Sequence, residues 1–356
     1  MTDTSPIRPL EVDAERPLEP ATVALLRAVR DACAHVDAAF VVAGATARDI
    51  LMWHVYGIRP MRATRDVDVA VCAVSWPFHD RLVDTLVATG QFARAPKHQQ
   101  KLLFAADTGG WRTELDLVPF GPLEAPPGEI AWPPGGEFVL NVLGFQEAVD
   151  HALPVAIDTH TVVPVASLPA LSLLKLLAWK DRRARQNNDA YDLLFLLTHA
   201  HDAGDRTRIW DVAPDLLAAH DFDPTRAAAA LLARDAKRIA SPATRDAVRA
   251  LLSDRATYAT LGQDLLARAF AWQPGDFTDD AERYLHAFRD AFLADEPDAG
   301  AGADAHAQRT SCSRPPLHPC MSAVRPTRIT AAGTYRRTYR VRSRSAPRAC
   351  AGNRTP

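Results

Sequence analysis

The tripeptide Asp66-Val67-Asp68 is where this sequence concentrates its chemistry. Side chains on a β-strand alternate faces, so residues two apart point the same way. A strand over 66–71 would turn Val67, Val69 and Val71 toward a core and leave Asp66 and Asp68 side by side. Two carboxylates so close repel unless a cation intervenes, and hard oxygen ligands favour Mg²⁺ or Mn²⁺. Two surface aspartates flanking a valine would read the same, so the pair needs context. Leu115-Asp116-Leu117-Val118 supplies some: a lone carboxylate in an apolar strand must meet a cation, a hydrogen-bond network or a salt bridge such as one to Arg112. Upstream, Gly44-Ala45-Thr46 is a small-residue turn whose N–H groups, at a helix N-terminus, suit a phosphate; otherwise it is only a tight turn.

A second group lies downstream. Lys175 sits in the apolar run Leu171–Trp179, where a lysine either snorkels from a helix edge or carries its ammonium to an anionic partner. Asp189 and Asp192 are three apart and share a helical face. They could orient Lys175 or an attacking group, or Asp189 could cap its helix. Ser172-x-x-Lys175 also fits a serine-hydrolase spacing, but no S-D-N or K-T-G partner occurs in the chain.

The elements that must position these residues can be read from periodicity. Residues 1–20 read as a flexible leader. A helix is expected over 21–35, a buried strand over 40–43, and a helix from the Gly44 turn to about Tyr56, where Gly57 and Pro60 stop it. A strand over 66–71 and a helix over 77–89 follow. Strands over 101–106 and 113–118 are joined by a turn at 107–110. Residues 119–136, rich in Pro and Gly, read as loop, followed by a short helix over 142–152 and a β-branched stretch over 155–165. From Ser167, a good N-cap with Pro169 in the first turn, the patterns are helical to about 293. The expected architecture is α+β: a small mixed-sheet domain over 21–165, an all-helical domain over 166–296 and a disordered Arg-rich tail over 297–356.

Composition narrows the function. Of 41 basic residues, 11, all Arg, lie in 305–356 together with none of the 43 acidic ones, which leaves 1–304 with a balance of −13. So acidic a body has no broad basic face for nucleic acid, and a polyanion must be met by a local patch. The tail lacks apolar periodicity and cannot offset its ordering entropy by burial. No apolar run approaches the roughly 20 residues that span a bilayer, and the N-terminus has no signal-peptide pattern, so a cytoplasmic location without membrane attachment is expected. No C-x-x-C or H-x-x-x-H pair occurs; the five cysteines are expected to be reduced and unpaired, without a zinc site.

The order strand, small-residue turn, helix, Asp-x-Asp and lone acid in an apolar strand resembles the DNA polymerase β-like nucleotidyltransferase superfamily. The residues that carry the likeness are Gly44-Ala45-x-x-Arg48, Thr64-Arg65-Asp66-Val67-Asp68 and Leu115-Asp116-Leu117. Lys175-Leu-Leu-Ala178 and Asp189-Ala-Tyr-Asp192 further resemble the lysine and aspartate motifs of AbiEii-type toxin nucleotidyltransferases. The likeness covers about residues 35–200. Ala45 departs from it, standing where the family usually has Gly or Ser; Thr46 is the substitute hydroxyl. The resemblance implies transfer of a nucleoside monophosphate from a nucleoside triphosphate (NTP) to an acceptor hydroxyl. It implies Mg²⁺ or Mn²⁺ on Asp66, Asp68 and Asp116, and catalytic roles for these three with Lys175 and Asp192. Gly44, Ala45, Thr46, Arg48, Lys175 and Asp189 would hold the nucleotide. It also implies an RNA acceptor, a tRNA 3′ end among the options, and a cognate antitoxin partner. A degenerate module that binds nucleotide or a partner without turnover is the rival; the intact aspartates oppose it and Ala45 leaves it open.

Overall fold

The computed structural model describes residues 8–60, 62, 64, 66–96, 98–106, 112–272 and 277–295. The expected turn at 107–110, Arg65 and the Arg-rich tail lie outside them.

The strands are β1 (Leu10–Glu11), β2 (Phe40–Ala43), β3 (Asp66–Cys72), β4 (Phe92–Arg94), β5 (Lys101–Phe104), β6 (Thr113–Phe120), β7 (Glu129–Ala131), β8 (Val139–Asn141), β9 (Leu153–Ala156) and β10 (Val162–Val165). Eight form one mixed sheet in the order β1-β9-β10-β2-β3-β6-β5-β4; β7 and β8 form a separate hairpin. At the centre β3 runs antiparallel to β2 and parallel to β6. The alternation expected of β3 is present: Val67, Val69 and Val71 are buried, while Asp66 and Asp68 are half-buried. In β6, Leu115 and Leu117 are buried on one face and Asp116 lies on the other.

The helices are α1 (Pro20–Val36), α2 (Gly44–Asp49), α3 (Trp76–Ala88), α4 (Phe145–Asp150), α5 (Leu168–Arg182), α6 (Asn188–His199), α7 (Arg208–Val212), α8 (Pro214–Ala219), α9 (Pro224–Ile239), α10 (Pro242–Ser253), α11 (Arg255–Trp272) and α12 (Phe277–Leu293). Between Ile50 and Val55 the α2 helix widens into a π-helical turn. That turn carries the backbone to Gly57, whose φ of +76° suits the residue that ends it. The mixed sheet and the later helices match the expected fold class, and no helix of the described residues is long and apolar enough to cross a membrane.

Several expectations need correction. Strand content ends at Val165 and α5 begins at Leu168, but one hydrophobic core runs from Leu18 through the sheet to Phe292. The helices therefore pack as part of the same body: α5 lies against α2, α6, α9 and α10. The described part of the leader, residues 8–20, packs on the body. β1 pairs in parallel with β9, Leu18 is buried, and Arg16 donates to the Trp53 carbonyl oxygen at 3.0 Å. The stretch 119–136, read as loop, contains β7. The β-branched stretch 155–165 holds the end of β9 and all of β10, which pair antiparallel. Cys33 is a free buried thiol, pushed up to about 12 by burial, as expected; Cys312, Cys320 and Cys350 lie outside the described residues.

The ordered leader generates a prediction. Deleting residues 1–19 removes β1, Leu18 and the Arg16 contacts. Tm by circular dichroism should fall by about 3 °C or more, the shift for roughly 1 kcal/mol in a body of this size. An unchanged Tm would show that the segment contributes nothing.

Candidate active site

The register of the central strands builds the site. Asp68 on β3 lies directly across from Asp116 on β6, and Ala43, the last residue of β2, lies across from Asp68 on the other side. Asp66, two residues before Asp68, shares its face. One oxygen from each of the three carboxylates lies within 4.8 Å of the others. Among the described residues this is the one group of three or more side chains able to hold a metal ion, and it contains neither Cys nor His.

Gly44 is required by this geometry. Its φ is +62°, and a Cβ there would fall 1.9 Å from Asp68 Oδ2. Only glycine lets the start of α2 pass so close to the carboxylate. Ala45 is buried and brings no hydroxyl. Thr46 brings one, but it donates to the Asp66 carbonyl oxygen at 2.9 Å and so ties α2 to the head of β3.

The electrostatics follow from crowding. Burial pushes Asp68 up from its ordinary 3.8 to about 6; Asp66 and Asp116 push the same way, against Lys175 and Arg182. Burial also raises Asp116, opposed by Lys101, whose Nζ lies 3.0 Å from Asp116 Oδ2. Burial would raise Asp66 too, but the Thr64 hydroxyl, a backbone N–H, Lys101 and Arg62 outweigh it and hold that carboxyl below its usual range. Asp116 Oδ1 is buried with no hydrogen-bond partner among the described residues. A buried carboxylate oxygen in that state, beside two more carboxylates, fits a hard divalent cation.

Behind this cluster lies a buried ion network. Lys175 Nζ is 2.5 Å from Asp192 Oδ2 and 3.2 Å from Asp189 Oδ1. Arg182 grips Asp189 with two bonds, at 2.6 and 2.8 Å. Arg48, fully buried, pairs with Asp192, with Asp49 through Nε at 2.7 Å, and with the Arg62 carbonyl oxygen at 3.0 Å. Three alternatives raised by the sequence are thereby displaced. Lys175 does not snorkel, since it is only 4% exposed. Asp189 does not cap its helix, because its carboxylate is held by Arg182 and Lys175. Asp116 is paired with Lys101 rather than Arg112. Arg48, a candidate for holding nucleotide, is instead enclosed by carboxylates.

Sequence reasoning gave no site role to Lys101, Thr64 or Arg182. Lys101 could be found only from the β5–β6 register, which sets it opposite Asp116. Arg182 carried a readable signal, lying seven residues, two helical turns, after Lys175.

The raised Asp68 fixes a pH dependence. The folded protein binds this proton more tightly than the unfolded chain, so the group favours folding at low pH and that contribution is lost as pH rises from about 4 through 6. In metal-free buffer Asp68→Asn should therefore melt several degrees higher than wild type at pH 7.5, with the gap closing toward pH 4. A gap independent of pH, or a less stable variant at pH 7.5, would contradict the crowding.

A family model described as the nucleotidyl transferase AbiEii toxin of type IV toxin–antitoxin systems matches residues 25–305. No curated protein matches the chain. Among solved structures, an antigenic nucleotidyltransferase-like protein from Paracoccidioides brasiliensis is 15% identical with a TM-score of 0.36, over 51% of this chain and 77% of that one. A Thermotoga maritima CCA-adding enzyme complexed with tRNA(CCA) is 10% identical with a TM-score of 0.21, over 79% and 80%. At such TM-scores neither likeness bears on the fold or the function. The family match takes in the whole carboxylate cluster and the ion network behind it, and the chain belongs to the AbiEii family of nucleotidyl transferases.

Proposed function

We propose that this nucleotidyltransferase is metal-dependent and moves a nucleoside monophosphate from an NTP to an RNA hydroxyl, under the control of an antitoxin protein. The observation that carries the metal reading is the convergence of Asp66, Asp68 and Asp116, with Asp116 Oδ1 buried and unpartnered among the described residues. Mg²⁺ or Mn²⁺ held by these three residues would supply positive charge to the triphosphate and to the attacking and leaving oxygens. In the reaction, the acceptor oxygen forms a bond to the α-phosphorus as the bond to the β-phosphate oxygen breaks, and pyrophosphate departs.

The chain's own residues set the geometry. Gly44 lets the N-terminus of α2 approach the carboxylates, bringing backbone N–H groups to the place where phosphates gather. Asp116, raised above the usual carboxylate range and steadied by Lys101, is placed to take the acceptor's proton. Lys175 and Asp192 keep the helical side of the site charged and fixed, and Lys175 lies near enough to Asp68 to lower its proton affinity. The antitoxin rests on the family's description as a toxin of toxin–antitoxin systems, and the RNA acceptor on what the resemblance of the Lys175 and Asp189–Asp192 motifs implies. Because the body is acidic, RNA would be met locally. Arg62, one-third exposed at the site, is the residue to test, since Arg48 is enclosed.

Incubation with each α-³²P-labelled NTP, Mg²⁺ and total RNA should label an RNA species and release pyrophosphate. Asp68→Asn should reduce labelling by at least about a hundredfold, as for other losses of transition-state charge stabilisation. Truncation after Asp304 should leave labelling intact. Label appearing in protein, or in nothing, would contradict the RNA acceptor.

A further inference from the structure

A cleft of about 710 Å³ has Thr46, Thr64 and Asp66 in its wall. Its size is that of a small-molecule site. Most of the rest of its wall comes from the ordered leader, from α1, from the π-helical turn and from Arg59 and Pro60 after it, to which neither the carboxylate cluster nor the ion network assigns a task; Val67 of β3 and Asp49, the partner of Arg48, complete it. Three side chains there have recognition chemistry. Trp53, half-buried, has the guanidinium carbons of Arg16 and Arg59 5.6 and 5.5 Å from its ring centroid. Arg16 is fixed by Asp13 and by the Trp53 carbonyl oxygen. Arg59 is exposed and has no carboxylate partner among the described residues. His54 Nδ1 lies 2.6 Å from the Arg16 carbonyl oxygen. A carbonyl can only accept, so Nδ1 carries the proton of this contact and Nε2 is the ring nitrogen left for another partner.

The remaining polar groups of the wall exclude one class of occupant. Glu19 and Asp49 join Asp66 on it, so a bare phosphate chain would be repelled there. A ring that stacks, with N–H groups and hydroxyls to donate, would meet the indole, the imidazole and the carboxylates. We infer that this cleft is a nucleoside subsite, in which a base lies against Trp53 and Arg59 while its sugar leads toward Asp66. The inference rests on the nucleotidyl-transfer reading above. Two sources share this chemistry: the nucleoside of the NTP, and the terminal nucleoside of the RNA acceptor.

The test uses full-length wild type, Trp53→Ala, Trp53→Phe and the exposed-site variant Arg59→Ala, each checked for folding by its thermal melt. Calorimetry measures the affinity of Mg²⁺–NTP and of Mg²⁺–tripolyphosphate, which lacks a base, and the labelling assay gives KM for RNA. Tripolyphosphate affinity should stay within about twofold of wild type in every variant. Trp53→Ala should weaken NTP binding or raise the RNA KM by about tenfold, as for loss of one stacked base, with Trp53→Phe recovering most of it. An effect on NTP assigns the donor's nucleoside to the cleft, and an effect on the RNA KM alone assigns the acceptor's. Saturation-transfer NMR with free nucleosides and no metal separates this inference from the reading beneath it. Nucleoside signals should appear with wild type and vanish with Trp53→Ala. If wild type binds no Mg²⁺–tripolyphosphate but the nucleoside signal depends on Trp53, the metal site fails and the subsite stands. Unchanged NTP affinity, RNA KM and nucleoside signal in folded Trp53→Ala and Arg59→Ala would overturn the subsite.

Discussion

Mutual repulsion among Asp66, Asp68 and Asp116 is the constraint around which the rest of this structure is arranged. Three carboxylates with oxygens inside a 4.8 Å span cannot all stay ionised in a half-buried site unless positive charge is supplied. The protein supplies little of it directly. Lys101 touches Asp116 but is shared with Glu114, and Arg62 contributes from a distance. Asp68 answers by holding its proton to about pH 6. A surplus of negative charge of this kind, fixed by two adjacent parallel strands, is what a divalent cation would relieve.

The layer behind is built differently. Arg48, Lys175 and Arg182, with Arg62 at 3.8 Å from Asp192, face Asp49, Asp189 and Asp192, so every anion of the network has a cationic partner. Its members come from α2, α5 and α6, which joins the glycine-started helix beside β3 to the helical part of the chain. A buried pair of this kind adds little net stability, but removing one partner strands a charge and costs about 3–5 kcal/mol. The network thus works as a positioning device. It holds α2, and with it Gly44 and Thr46, in fixed relation to α5 and α6, and this is why the helices share one core with the sheet.

Much of this was legible because the signals were local. The alternation in 66–71 is a property of the strand pleat, and the apolar periodicity after Ser167 is a property of helices, so both appear in a single segment. The pairing of Asp68 with Asp116 is not local. It depends on β3 and β6 lying side by side while β4 and β5 are placed beyond β6, and Lys101 became visible only through that register. Arg48 was misread for a related reason. An arginine one turn into a phosphate-facing helix suggests ligand contact, and nothing nearby in sequence announces that Asp192 lies against it. The leader was misread because its proline-rich composition resembles a linker. Its two-residue strand and the buried Leu18 find partners only in β9 and the core. The π-helical turn has no sequence signature, yet it sets Trp53 and His54 into the cleft wall.

The claim on which this account depends is that the three carboxylates hold a divalent cation together with a triphosphate. Electron paramagnetic resonance of free Mn²⁺, titrated with protein and a non-hydrolysable NTP analogue, measures that occupancy without requiring turnover or a known acceptor. The account predicts that wild type depletes the free-Mn²⁺ signal saturably, and that Asp66→Asn/Asp116→Asn, still folded, leaves it at the level of nucleotide alone. Equal depletion by both proteins would contradict it, because the cation would then be bound without the carboxylates around which the fold is built.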